Sequence, residues 1–225
     1  MRRLLRLFFL LLLAYPVAVL ALGAAYIAIP PVSTLMVGRW LTLQGAERRW
    51  VPLTEIAGSL PAAAMASEDA RFCLHGGVDW KALGEVLEDA EDGGPSRGAS
   101  TIPMQVAKNL FLWPGRSYIR KAMELPIALY LDLVWSKQRM MEVYLNVAEW
   151  GEGVFGAEAA ARRHFRKSAA ELTRREAALL VAALPNPIRR DPGKPSRFMN
   201  AQAGRILARI AHTPTQCLRA GAQRG

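Results

Sequence analysis

The sequence predicts a mostly α-helical domain behind one N-terminal membrane helix, and three observations carry that prediction. Residues 7–29 hold no charged side chain, and at about 1.5 Å of rise per residue such a run crosses the roughly 30 Å apolar core of a bilayer. Beyond it, helix caps and Pro/Gly breakers recur at short intervals. No stretch of period-two alternation is long enough to read as a strand.

Residues 1–6 form a basic flank with Arg2, Arg3 and Arg6, which favours keeping that end in the cytoplasm. Residues 7–29 are the anchor, closed by Pro30-Pro31. A cleaved signal segment is the alternative, but its apolar region spans about 7–15 residues, and Ala21-Leu22-Gly23 is a poor cleavage match. Residues 30–50 link the anchor to a single domain over 51–212, and 213–225 form a tail. Within the domain, Ser59 and Pro61 open a small-residue helix to about residue 67. Asp79 caps a helix over 80–91 that stops at Asp92-Gly93-Gly94-Pro95. Ser100 or Thr101 caps a third helix, with Pro103 tolerated in its first turn. Ser117 opens a longer helix bent near Pro126, and Ser136 starts another that runs to about residue 147. Two capping boxes, Ser168-x-x-Glu171 and Thr173-x-x-Glu176, precede the apolar run 177–184. A final helix covers 198–210.

The formal net charge is +10 over 225 residues, and most of it lies beyond the anchor. A membrane-tethered exported domain does not meet nucleic acid, so anionic headgroups and phosphorylated lipids are the expected counterparts. Cys73 and Cys217 allow one disulfide, though nothing in their spacing demands it. Two cysteines and three histidines make no zinc framework.

Three segments hold candidate chemistry. The first is Ser67-Glu68-Asp69-x-x-Phe72-x-x-His75-Gly76-Gly77-x-Asp79. Glu68 ends an apolar helix and faces the negative end of its dipole, which suits a group that must take up a proton. A solvated Glu-Asp pair would look the same in isolation. The second is Arg97-Gly98-x-Ser100-Thr101-Ile102-Pro103-Met104-Gln105-x-x-Lys108-Asn109. Thr101, Gln105 and Lys108 share one helical face, while Ile102, Val106 and Leu110 form a core stripe. Hydroxyl, amide and ammonium in a row suit a sugar beside a phosphate. The third is Arg116-x-x-x-Arg120-Lys121-x-x-Glu124, cations set among apolar residues as at a membrane bearing anionic lipid. Gly151-x-Gly153-x-x-Gly156 matches a dinucleotide fingerprint but follows a helical pattern, so it reads as a tight turn between helices. No Ser-x-x-Lys nucleophile occurs in the chain, which argues against a penicillin-binding acyl-transfer centre.

Taken together, these segments resemble the peptidoglycan glycosyltransferases (glycosyltransferase family 51), in their monofunctional biosynthetic form. Glu68-Asp69-x-x-Phe72-x-x-His75-x-Gly77-x-Asp79 resembles the family's first motif, and Gly98-x-Ser100-Thr101-Ile102-x-x-Gln105-x-x-Lys108-Asn109 its second. Arg120-Lys121-x-x-Glu124 resembles the third, and Glu142-x-Tyr144-Leu145-Asn146 the fourth. The likeness runs over about residues 51–187. Where the family commonly has Ser-Gln, this chain has Pro103-Met104, which implies altered fine contacts without loss of activity.

The resemblance implies a lysozyme-like two-lobed fold and an enzyme that polymerises glycan strands from lipid II and lipid-linked nascent glycan. It implies an inverting displacement that releases undecaprenyl diphosphate. Glu68 is then the general base, and Glu124 supports the leaving group or donor sugar. Lys108, Arg116, Arg120 and Lys121 receive the diphosphate. Ser100, Thr101, Gln105 and Asn109 hold substrate, while Asp69, Phe72 and His75 shape the first motif. No cofactor is required; a divalent cation can assist the diphosphate, but no dedicated metal cage is visible in the sequence. The implied location is the bacterial inner membrane, single-pass, with the catalytic domain periplasmic, beside other wall synthases and division proteins. A lysozyme-like hydrolase and a non-catalytic wall-assembly scaffold are the rival readings. Neither needs the cation set around Lys108.

Overall fold

Helix starts in this chain are written as hydroxyls, and the computed structural model, which describes residues 2–91, 100–115 and 117–219, places helices at nearly all of them. The stop at Asp92-Gly93-Gly94-Pro95, the Arg97-Gly98 start of the second motif, and Arg116 lie outside the described residues.

The first helix, α1 (Arg2–Ala25), contains Pro16. Ser33 caps α2 (Thr34–Leu41) by accepting from the Met36 N–H. The small-residue α3 (Ser59–Glu68) is followed by α4 (Trp80–Glu91), where Asp79 accepts from the Ala82 N–H. Thr101, Ser117 and Ser136 cap α5 (Ile102–Phe111), α6 (Tyr118–Val134) and α7 (Lys137–Val147). Next come α8 (Ala157–Phe165), α9 (Arg174–Ala183) and α10 (Arg197–Ile210). Both predicted capping boxes form, the one at Thr173 heading α9 and the one at Ser168 heading only a 3₁₀ turn.

The core joins two helical groups. In one, α9 packs on α3 and α10; in the other, α5 lies against α6 and α7. Ala63, Ala64 and Ala66 of α3 and Ala177, Ala178 and Ala182 of α9 are all buried, so short side chains let these backbones approach closely. Ile102, Val106 and Leu110 form the buried stripe expected of α5. Pro103 and Met104 are buried with them, so the departure from the family's polar pair faces the core.

The C-terminal part of α1 and the segment after it are tied to α6 and α7 through backbone carbonyls. Tyr130 Oη donates to Leu20 O at 2.6 Å, and Trp135 Nε1 to Gly23 O at 2.7 Å. Gly23 is required there, since a Cβ would come within 2.5 Å of the Tyr130 ring. Arg139 donates to the Tyr26 and Ile29 carbonyls. Among the described residues no helix is long and apolar enough to cross a membrane. The side chains of residues 7–12, part of the expected anchor, lie outside that description.

A small sheet adds what the sequence pattern missed. Strands β1 (Glu47–Arg48), β2 (Glu149–Gly151) and β3 (Val154–Phe155) lie in the order β1-β3-β2. β1 runs parallel to β3, while β2 pairs antiparallel to it with a register irregularity between Glu149 and Gly151. Strands of two or three residues cannot show a period. The glycine segment expected between helices is therefore the turn and exit of this hairpin. Gly153 takes φ +70° at a position where a Cβ would stand 3.0 Å from Gly45 O. Finally, a disulfide joins Cys73 to Cys217 across a sequence separation of 144 residues. It fastens the segment after α10 beside the first motif.

Candidate active site

The site is assembled around the C-terminal end of α3 and the N-terminal half of α5. Glu68 is the last residue of α3 and is partly buried. Its carboxylate accepts from Ser67 Oγ at 2.9 Å and from Gln105 Nε2 at 3.2 Å. The next residue leaves the helix, with φ −161° at Asp69. Asp69 turns inward, where its carboxylate accepts from the Ile102 N–H at 2.9 Å and from His75 Nε2 at 2.8 Å. One buried acid thus joins the first motif to the start of α5. Phe72 is fully buried, edge-on to His75, with Lys137 Nζ 4.8 Å from its ring. Lys137 also donates to His75 O and to Asp132.

Thr101 is likewise committed to the frame. Its hydroxyl donates to Gly77 O at 2.6 Å while accepting from the Met104 N–H. Gly77 sits at φ +80°, where a Cβ would meet Ala128 O at 2.7 Å. Thr101 is buried, in contrast to its helical neighbours Gln105 and Lys108, which are partly open to the cleft.

That cleft has a volume of about 430 Å³, and Glu68, Ser100, Gln105, Lys108 and Asn109 line one side of it. A second cavity of about 400 Å³ shares Lys108 and Asn109 and continues past Trp113 to Arg120. Lys108 therefore stands at the junction. Burial pulls its pKa below the ordinary lysine value; Arg120 and Lys121 push the same way, and Glu124 and Glu68 oppose them.

Behind this junction Glu124 is buried and holds both cations of the third motif. Arg120 Nη1 pairs with Glu124 Oε1, and Lys121 Nζ donates to Oε2 at 2.9 Å. Lys121 also donates to Ser100 Oγ at 2.5 Å, which joins the second and third motifs. Among the described residues no three His, Cys, Asp or Glu side chains converge so as to hold a metal ion.

Of the residues singled out in the sequence, Glu68, Ser100, Gln105, Lys108, Asn109 and Arg120 line the two cavities, and Lys121 is bonded to Ser100. Asp69, Phe72, His75, Thr101 and Glu124 brace them from within. The fourth motif is also a brace. Asn146 is fully buried and exchanges hydrogen bonds with the Val51 backbone, while Glu142 accepts from the Leu53 N–H and pairs with Arg139.

Two further cleft residues were given no role by the sequence reading. Tyr144 lines the cavity, and its buried hydroxyl has no hydrogen-bond partner among the described residues. Burial raises its pKa well above the usual value, and the charges of Glu68 and Asp69 add to this. Its place in the segment that resembles the family's fourth motif was the available signal. Glu149 also lines the cleft. Burial raises its pKa, with Glu152 adding, while the Gly153 N–H and Arg39 lower it. No motif marks Glu149.

A helical domain that brings a carboxylate and a lysine into one cleft, with an arginine in the cavity that continues from it, has the makings of a glycosyl-transfer enzyme. A family model described as transglycosylase matches residues 36–211. Curated relatives named biosynthetic peptidoglycan transglycosylase are similar over most of their length. The Brucella suis protein is 61% identical over 178 residues, 79% of each chain. The Agrobacterium fabrum protein is 59% identical over 181 residues, 80% of each. The Rhodopseudomonas palustris protein is 53% identical over 218 residues, 96% of each. The chain belongs to this family of monofunctional peptidoglycan glycosyltransferases.

Proposed function

We propose that the chain polymerises peptidoglycan strands from lipid II by inverting glycosyl transfer, with Glu68 as the general base. The observation that carries this reading is the shared cleft, in which Glu68 stands on one side of Gln105 and Lys108 leads on toward Arg120. The acceptor's GlcNAc 4-hydroxyl attacks C1 of the donor MurNAc. A new C1–O bond forms as the C1–O bond to the diphosphate breaks, and the α linkage becomes β. The hydroxyl proton passes to Glu68, a transfer worth about 10²–10⁴-fold in rate. Undecaprenyl diphosphate leaves with the bonding electron pair. Lys108, with Arg120 and Lys121 behind it, stabilises the charge that grows there. Gln105 fixes the Glu68 carboxylate, and Glu124 keeps the two arginine and lysine cations in place. A divalent cation assisting the diphosphate would rest mainly on the phosphates, since the described side chains offer it no cage.

A glycoside hydrolase also uses a glutamate in a helical fold, but it breaks a neutral bond and leaves the cations without a task. Residues 7–29 serve as a single inner-membrane anchor in this proposal, with the domain periplasmic. The charge-free run behind Arg2, Arg3 and Arg6 supports that placement. The test is incubation of full-length protein with labelled lipid II. Polymer that lysozyme digests, with release of undecaprenyl diphosphate, is the expected result. Hydrolysis of preformed glycan without polymer would replace synthesis by the hydrolase reading.

A further inference from the structure

A third, larger cavity adjoins the catalytic cleft and has no part in the chemistry above. It has a volume of about 610 Å³, within the roughly 300–1,000 Å³ range of ligand sites. Pro187 lines both spaces, and the β2–β3 hairpin separates them, with Glu149 and Phe155 facing the cleft and Gly151, Glu152 and Val154 the cavity. The lining is strongly basic, with Arg163, Arg166, Arg189, Arg190 and Lys194. Arg163, Arg166 and Arg189 form no ion pair with a carboxylate among the described residues. Arg190 is held in place, donating to Ala182 O at 2.8 Å and lying over the Phe198 ring.

The cavity is also braced. Asp191 accepts from the Gly193 N–H at 2.8 Å and from His164 Nδ1 at 3.1 Å. The other ring nitrogen of His164 faces Trp150 O at 3.3 Å. Arg166 ends α8 at φ +60°, a left-handed conformation uncommon for a residue other than glycine.

We propose that this cavity binds the carboxylate-bearing stem peptide of the sugar substrate. The inference rests on the reading of lipid II as substrate and deepens it. Of the cations that suit the leaving diphosphate, Lys108 lines the catalytic cleft and Arg120 the cavity that continues from it, and neither lines this one. The anions left to serve on such a substrate are the carboxylates of its peptide. Two acids in the cavity, Glu152 and Asp191, favour this over a phosphate group: they would repel a dianion but suit a peptide that also carries a free amine.

The experiment measures binding of the lipid-free disaccharide pentapeptide, which has no diphosphate, to full-length wild-type protein and to Arg163→Gln/Arg189→Gln. Both positions are exposed, so these replacements leave the fold intact. Loss of two such contacts predicts a rise in Kd of about five- to tenfold. A pentapeptide with its carboxylates amidated should bind wild type and variant alike. Equal wild-type affinity for the acidic and amidated forms would overturn the proposal, as would unchanged binding by the variant. Two further results would overturn it. One is binding that appears only when the ligand carries a diphosphate, which assigns the cavity to phosphate. The other is unchanged peptide binding with lost association to phosphatidylglycerol vesicles, which assigns it to the membrane. Peptide binding without polymer from lipid II would instead sink the catalytic reading and leave the peptide site standing.

Discussion

Replacing Glu124 by alanine removes the one carboxylate among the described residues that holds Arg120. The side chains in this pair are 11% and 4% exposed, so the guanidinium would be left buried and uncompensated, at a cost of about 3–5 kcal/mol. Its Nε already lacks a hydrogen-bond partner among the described residues, which gives the stranded charge little relief. Lys121 is 41% exposed and adds less than about 1 kcal/mol. Against a typical stability of about 5–15 kcal/mol, Glu124→Ala should fold but unfold at markedly lower denaturant. The double variant Arg120→Met/Glu124→Ala removes both charges and should recover at least about 2 kcal/mol of the loss. Guanidinium unfolding followed by tryptophan fluorescence measures all the variants of the cycle. A loss below about 1 kcal/mol for Glu124→Ala, or a double variant as unstable as the sum of the singles, would refute the buried-clamp reasoning.

Lys108 carries a lowered pKa from burial, so it loses its charge at lower pH than an ordinary lysine; Lys108→Arg should move the alkaline limb of kcat/KM upward, as a pH–rate profile would show. Gly77→Ala places a Cβ against Ala128 O at a positive φ, and should cost more than about 2 kcal/mol in denaturant unfolding. The raised pKa of Glu149 means that the folded state disfavours its charged form. Its contribution is therefore fully favourable at low pH and is lost as pH rises through the folded-state pKa. Glu149→Gln should then stabilise the protein at neutral pH and make no difference in acid, a comparison that thermal unfolding at two pH values provides. Reducing Cys73–Cys217 opens a long loop and should cost about 2–5 kcal/mol, read as a shift in unfolding midpoint with reductant.

Much of the fold was legible because this chain announces its helices locally. Ser117, Ser136, Thr101 and Thr173 each cap where their spacing predicts. The sheet was not legible, because Glu47–Arg48 and Val154–Phe155 pair over a distance no local pattern records. In the site, the ordered motifs fall on segments that the fold brings around the two cavities, but periodicity could not separate lining from bracing. Thr101 shares a helical face with Gln105 and Lys108, yet its hydroxyl is consumed by Gly77 O and the Met104 N–H, contacts set by tertiary structure. Glu149 enters the cleft only because the hairpin turns it there. The disulfide depends on the path of the chain after α10, which spacing does not encode.

The account turns on Glu68 as the proton acceptor, and Glu68→Gln tests it most directly. Glutamine keeps the acceptor facing Ser67 and the volume beside Gln105, so the folded protein should retain lipid II binding and its unfolding midpoint. The measurement is single-turnover transfer with labelled lipid II at saturating substrate. The account predicts a rate about 10²–10⁴-fold below wild type, with binding unchanged. A variant that transfers at the wild-type rate would contradict it and return the proton to another group in the cleft.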